Sequence, residues 1–257
     1  MNKFFLCLSL LLSTVTCSAS SLNNDNITLY FARHGETLLN SFDHVQGWAD
    51  APLTVEGKEV ARYLGAGLKG IPFDRFYSGD LGRQRDTLKI VLRQTGQSLA
   101  EVTELSGLRE SYFGSFEGLR NEEMRDASAR VLGFKDQGEM LSEMKSGKIS
   151  IRQLQDAISA ADPAGQAENY KQVKTRIYAA LSEIVESAKK QQDKNILIVT
   201  SGMTIMNLVY ELTGKPVQIK PLENASVVKI TYSKGNYIIN EPGTLKYVNN
   251  GKVLLDK

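Results

Sequence analysis

An Arg-His pair, Arg33-His34, stands where the apolar run Ile27-Thr28-Leu29-Tyr30-Phe31 gives way to Gly35-Glu36-Thr37. Strand ends are where ligands meet the sheet in α/β proteins. An imidazole there is a candidate nucleophile for a phosphoryl group, and the guanidinium beside it is a candidate binder of the phosphoryl oxygens. A lone histidine is more often structural, so the pair needs company. The segment Ser78-Gly79-Asp80-Leu81-Gly82-Arg83 begins where a second strand should end, which puts Arg83 on the same sheet edge as His34. Two arginines converging on one point would neutralise a phosphate and stabilise charge on its equatorial oxygens. Arg85 is read as solvated. Glu110, in Leu108-Arg109-Glu110 after a third strand, is a candidate acid for a leaving alkoxide, provided the site raises its pKa toward working pH. Taken singly, it reads as a surface carboxylate.

The elements that must hold these groups follow from periodicity. Thr54 is placed to cap a helix carrying Val60, Ala61, Leu64 and Leu68 at helical spacing. Phe73 to Tyr77 reads as a second strand, and Leu81 to Thr95 as a helix with Leu81, Leu88, Val91 and Leu92 on one stripe. Val102 to Leu105 is a third strand. From about 120 to 192 the chain is charge-dense, with apolar residues at three-to-four spacing, which predicts several helices broken at Asp162-Pro163-Ala164-Gly165. Asn195 to Thr200 is the continuous apolar run of a strand buried on both faces, and Gly202 opens the next helix. Val227 to Thr231 and Tyr237 to Asn240, split by Lys234-Gly235-Asn236, predict a hairpin. Alternating strands and helices imply a three-layer α/β/α sandwich with a helical insertion at about 120–165.

The first residues read as a secretory signal peptide: Lys3, then the apolar run Phe4 to Leu12, then small residues through Ser21. The run is shorter than the roughly 20 residues of a membrane-spanning helix. Cleavage is expected after Ala19, leaving one domain over 20–257. Lipid modification of Cys17 is the rival, but Thr14-Val15-Thr16 lacks the residues that usually precede a lipidated cysteine. Both cysteines, Cys7 and Cys17, belong to this leader, so the mature chain is expected to hold no disulfide, thiolate metal site or cysteine nucleophile. The formal net charge of +2 loses Lys3 with the leader, and near-neutral charge argues against a nucleic-acid partner.

Taken together, the motifs resemble the histidine phosphatase superfamily in its phosphoglycerate mutase-like branch. Arg33-His34-Gly35-Glu36-Thr37 with Asn40 resembles its phosphate loop, and Gln46-Gly47-Trp48 through Pro52-Leu53-Thr54 its continuation. The segment at Arg83 resembles the second-arginine motif, and Glu110 falls where phosphatases of this branch keep a proton donor. The resemblance implies that His34 becomes a phosphohistidine which water hydrolyses, without metal or other cofactor. Arg33, Arg83, Asn40, Gln46, Gly47 and backbone N–H groups would cradle a small phosphorylated substrate.

Two positions depart from the pattern. In Val199-Thr200-Ser201-Gly202-Met203-Thr204, Ser201 stands where the family places a second histidine. Losing that partner is expected to cost roughly 10²- to 10³-fold in turnover, by analogy with deleting an oxyanion-hole donor. The helix start at Gly202 and Met203 is expected to keep N–H groups for an anion. His44 stands where the branch often has a basic residue; it is either an exposed loop histidine or a partial substitute for the missing imidazole. The leading expectation is therefore an exported phosphomonoesterase of reduced activity, and the alternative is a phosphate-ester-binding protein without useful catalysis. An export signal disfavours a glycolytic mutase. Arg120, Arg125 and Arg130 are candidates to meet a second anionic group, or form a solvated helix face. Asn26-Ile27-Thr28 and Asn224-Ala225-Ser226 match glycosylation acceptors.

Overall fold

A computed structural model describes residues 26–214 and 222–256; the proposed leader and Cys17 lie outside them. Six strands, β1 (Ile27–Arg33), β2 (Arg75–Ser78), β3 (Val102–Glu104), β4 (Asn195–Thr200), β5 (Val227–Ser233) and β6 (Asn236–Thr244), form one sheet in the order β3-β2-β4-β1-β5-β6. β1 pairs parallel with β4, with Arg33 opposite Thr200, so the chain leaves both strands side by side at one edge. β5 runs antiparallel to β1. Its hairpin with β6 turns at Lys234 and Gly235, both at positive φ, the geometry that matches strand twist.

Nine helices are described: α1 (Leu38–Ser41), α2 (Val55–Leu68), α3 (Gly82–Thr95), α4 (Asn121–Val131), α5 (Gln137–Lys145), α6 (Ile151–Ala161), α7 (Tyr170–Gln191), α8 (Gly202–Thr213) and α9 (Lys246–Leu255). Side-chain alternation along the strands makes the layers. Leu29, Phe31, Ile196 and Ile198 pack with Ile177, Leu181 and Ile184 of α7 and Ile205 and Leu208 of α8. Tyr30, Ala32, Leu197 and Val199 face the other way, onto Leu64 of α2, Leu88 and Val91 of α3 and Tyr247 of α9. The three-layer sandwich is thus present, and α4–α6 form the helical insertion, with cores of their own around Phe113, Met124 and Ile158 and around Ala129, Met140 and Ile149. No described helix is long and apolar enough to cross a membrane.

Two elements escaped the periodicity. α1 is a single turn capped reciprocally by Thr37 and Asn40. α9 contains Asn249, Asn250 and Gly251, poor helix formers. It exists because it packs backbone to backbone on α2: a Cβ at Gly67 would meet Tyr247 O at 1.8 Å, and one at Gly251 would meet Tyr63 O at 1.7 Å.

Candidate active site

His34, the first residue after β1, is buried, and its backbone is held from both sides. Its N–H donates to Thr200 O at 3.0 Å, and its carbonyl accepts from Asn224 Nδ2 at 3.0 Å. The imidazole Nδ1 lies 2.7 Å from Gly35 O, and Arg83 Nε donates to Nε2 at 3.2 Å. A carbonyl can only accept and a guanidinium only donate, so Nδ1 carries the proton and Nε2 carries a lone pair. Burial pushes the imidazole pKa well below its ordinary value, and the charges of Arg83 and Arg33 push the same way. His34 is thus a neutral imidazole whose basic nitrogen is unprotonated and capped by a single Arg83 hydrogen bond, the protonation form a nucleophile needs.

The two arginines behave differently. Arg33 gives Nη1 to Leu222 O, while its buried Nε has no partner. Arg83 is saturated: besides His34, its guanidinium donates to Ala49 O and Asp50 Oδ1, both at 3.0 Å, to Gly47 O at 2.6 Å and to Gln46 O at 3.5 Å. All five N–H groups are engaged. Arg33 borders the cavity at the sheet edge with a free donor, whereas Arg83 meets an anion there only by giving up its Nε–H bond to His34, so the expected convergence of two arginines rests on that exchange. The 46–50 loop takes up Arg83, which acts on His34.

That cavity, of about 290 Å³, is bordered by Arg33, His34, Asn40, Gln46, Glu110 and Gly202 at its polar end. Gln46 accepts from Thr37 Oγ1 at 2.5 Å through Oε1, and its buried Nε2 has no partner. Asn40 Oδ1 accepts from Thr37 N at 3.3 Å, leaving its Nδ2 as the available donor. Arg33 Nε, Gln46 Nε2 and Asn40 Nδ2 are therefore unspent donors beside His34 Nε2. A buried donor without a partner is costly, and an anion would relieve it.

Glu110 closes the opposite side. Its Oε1 accepts from Ser111 N, Thr204 N and Thr204 Oγ1 at 2.8–3.1 Å, and its Oε2 from Met203 N at 2.9 Å. This corrects the expectation for Met203: its N–H and that of Thr204 already serve the Glu110 carboxylate, which sits on the α8 N-terminus as an internal anion. The Met203 side chain instead borders the cavity. Ser201 does not border it. Fully buried, it accepts a hydrogen bond from Gln84 Nε2 at 2.8 Å. Gly47 also lies off the cavity, contributing a carbonyl to Arg83. His44 borders it, its Nδ1 fixed by Gly118 O at 2.8 Å. Of the insertion arginines only Arg125 reaches the cavity; Arg120 and Arg130 are exposed.

A sequence profile of the histidine phosphatase superfamily (branch 1) matches residues 29–243. The chain belongs to the histidine phosphatase superfamily. A broad-specificity phosphatase of Saccharomyces cerevisiae is 28% identical over 241 residues, spanning 91% of this chain and 93% of the relative. A 2,3-bisphosphoglycerate-dependent phosphoglycerate mutase of Gloeobacter violaceus is 26% identical over 207 residues, spanning 79% and 84%. Among solved structures, a phosphoglycerate mutase from Bacillus anthracis is 41% identical with a TM-score of 0.84, covering 90% of this chain and 98% of that one.

In this member of the superfamily, several residues position the site from outside the cavity, and of these Arg176 carried no local signal. Glu117 gathers the N–H groups of Gly47, Trp48, Ala49 and Phe113 at 2.9–3.0 Å, and so shapes the loop whose carbonyls hold Arg83. Gly47 must lack a side chain there, since a Cβ would lie 2.1 Å from Glu117 Oε1. Arg176, from α7, grips the carbonyls of Gly107, Arg109 and Glu110 at 2.8–2.9 Å and pairs with Glu168 at 2.8 Å. Asn224 spends its amide nitrogen on His34 O, so a glycan at that nitrogen would unhook the nucleophile's backbone.

Proposed function

We propose that this protein is an exported phosphomonoester hydrolase that works through a phosphohistidine at His34, with turnover lowered by serine at position 201. The observation that carries the reading is the unprotonated Nε2 of a neutral, buried His34 beside the unspent donors Arg33 Nε and Gln46 Nε2. An arriving phosphoryl oxygen takes the Arg83 Nε–H, which frees the Nε2 lone pair. Nε2 then bonds to phosphorus and the ester P–O bond breaks, the leaving alkoxide taking the proton that the ester monoanion carries in and that the Glu110 carboxylate relays. Water attacks the phosphohistidine, its proton passes to the Glu110 carboxylate, the P–N bond breaks and the lone pair returns to Nε2. Arg33 and Gln46 hold the equatorial oxygens.

Hydrolysis is preferred to mutase chemistry because of the cavity lining: beyond Arg33, Arg125 is its one guanidinium among the described residues, set among apolar side chains. A substrate with both a carboxylate and a second phosphate would leave charges unpaired there. Export is supported by Lys3, the Phe4 to Leu12 run and the small residues through Ser21. A phosphate-ester binder without turnover is the second reading, favoured by the Ser201 hydroxyl facing Gln84 and not the cavity.

The test is hydrolysis of an aryl phosphate by the parent and by His34→Ala, with rapid acid-free quenching to trap an acid-labile phosphoryl adduct. Turnover and adduct that both vanish with His34→Ala support the hydrolase. A parent that binds phosphate and forms no adduct supports the binder. Fractionation of expressing cells checks export, and retention of the full-length chain in the cytosol would overturn it.

A further inference from the structure

The chain contains six methionines, and all except Met1 line the active-site cavity: Met124 of α4, Met140 and Met144 of α5, Met203 and Met206 of α8. Phe113, Leu141, Leu154, Ile158 and Leu222 complete the apolar wall. The groups suited to an anion, Arg33, Asn40 and Gln46, sit with His34 and Glu110 at one end, and among the described residues the remaining polar lining is His44, Asn121, Arg125 and Ser128. At about 290 Å³ the space lies at the lower bound of small-ligand sites. Thioether side chains are apolar, unbranched and adjustable, so a wall built from them accepts varied apolar shapes without a fixed outline.

We infer that the group esterified to the phosphate is apolar: the substrates are monophosphates of medium-sized aliphatic or aromatic alcohols, the phosphate held at His34 and the hydrocarbon in the methionine chamber. This rests on the phosphate reading of the site and adds the substrate class to it. A polyhydroxylated or carboxylated alcohol would bury polar groups against thioethers and leucines with few partners. A hydrocarbon of adjustable shape satisfies the same walls at no such cost.

The experiment is calorimetric binding of non-hydrolysable phosphonates to the parent protein, with inorganic phosphate as reference. Across methyl-, butyl- and hexylphosphonate, affinity should rise by roughly threefold to fourfold per buried methylene until the chamber fills, with an increasingly negative heat-capacity change. In Met144→Gln/Met206→Gln, changed at two half-buried positions, the gain per methylene should shrink. The comparison is a slope within each protein, so a folding defect, which would remove binding of every member, is distinguishable from a flattened series. Equal affinities along the parent series, or tighter binding of 3-phosphonopropionate than of butylphosphonate, would overturn the apolar assignment while leaving the phosphate site standing. Absence of binding by inorganic phosphate and every phosphonate would overturn both.

Discussion

Gln84 Nε2 donates to Ser201 Oγ at 2.8 Å, and the same nitrogen donates to Leu108 O at 3.1 Å, tying the start of α3 to the start of α8 beneath the active site. The space a second imidazole would need is therefore partly filled by a glutamine. Ser201→His alone is expected to overpack this buried point, costing about 1–3 kcal/mol in unfolding free energy without raising turnover. Combined with Gln84→Ala, it should raise kcat/KM by roughly tenfold or more. A double-mutant cycle in aryl phosphate hydrolysis measures the coupling; additive effects would mean that the two side chains do not share the site.

The depressed His34 pKa has a sign that can be measured. Below the unfolded value near 6.5, the unfolded chain takes up a proton that folded His34 refuses, so stability falls as pH drops through that point. The slope from this one group is at most about 1.4 kcal/mol per pH unit. Urea unfolding between about pH 7 and about pH 5 should show this fall, and His34→Gln should reduce it. For the same reason the acid limb of kcat/KM should lie below the usual histidine range. A limb at about 6.5 would mean that His34 titrates as if exposed.

Glu117 is the acceptor for four N–H groups, so Glu117→Gln turns an amide donor toward part of that set. We expect a loss of about 3 kcal/mol in stability, from weakened charge-assisted hydrogen bonds and opposed donors. The loop carbonyls that hold Arg83 should loosen with it, lowering kcat/KM by roughly tenfold. Denaturant titration and initial rates check the two effects, and a fall in stability with unaltered rates would separate the loop from the chemistry.

Mild peroxide treatment offers a check on the chamber that needs no mutation. Conversion of the lining methionines to sulfoxides makes the wall polar. Hexylphosphonate affinity should then fall several-fold more than that of inorganic phosphate, and methionine sulfoxide reductase should restore it. Equal losses for both probes would point to general damage.

The sheet was legible because each strand carries its own signal: the apolar run at 195–200 and the turn at 234–235 specify their neighbours locally. That His34 and Glu110 come to one cavity was legible as well, because both follow strands that end at the same edge of the sheet. The state of Arg83 was not, since it depends on where the carbonyls of Gly47 and Ala49 are aimed, and that is set by Glu117, 70 residues from Gly47. The Met203 N–H was misassigned for a related reason: the α8 N-terminus does attract an anion, but the protein supplies Glu110 itself. α9 was missed because its stability comes from contact with α2 at Gly67, which no local propensity records. The methionine chamber escaped for the same cause, since its members lie on three helices separated by up to 82 positions, from Met124 to Met206.

The reacting groups descend from strand ends and the loops beside them, whereas much of the chamber wall comes from α4–α6, which have cores of their own apart from the sheet. Heredity can act on the two separately. Replacements on α4, α5 or α6 would retune which alcohol is accepted without disturbing His34, Arg33 or Glu110, so descendants of one ancestral sheet can diverge in diet while keeping a common reaction.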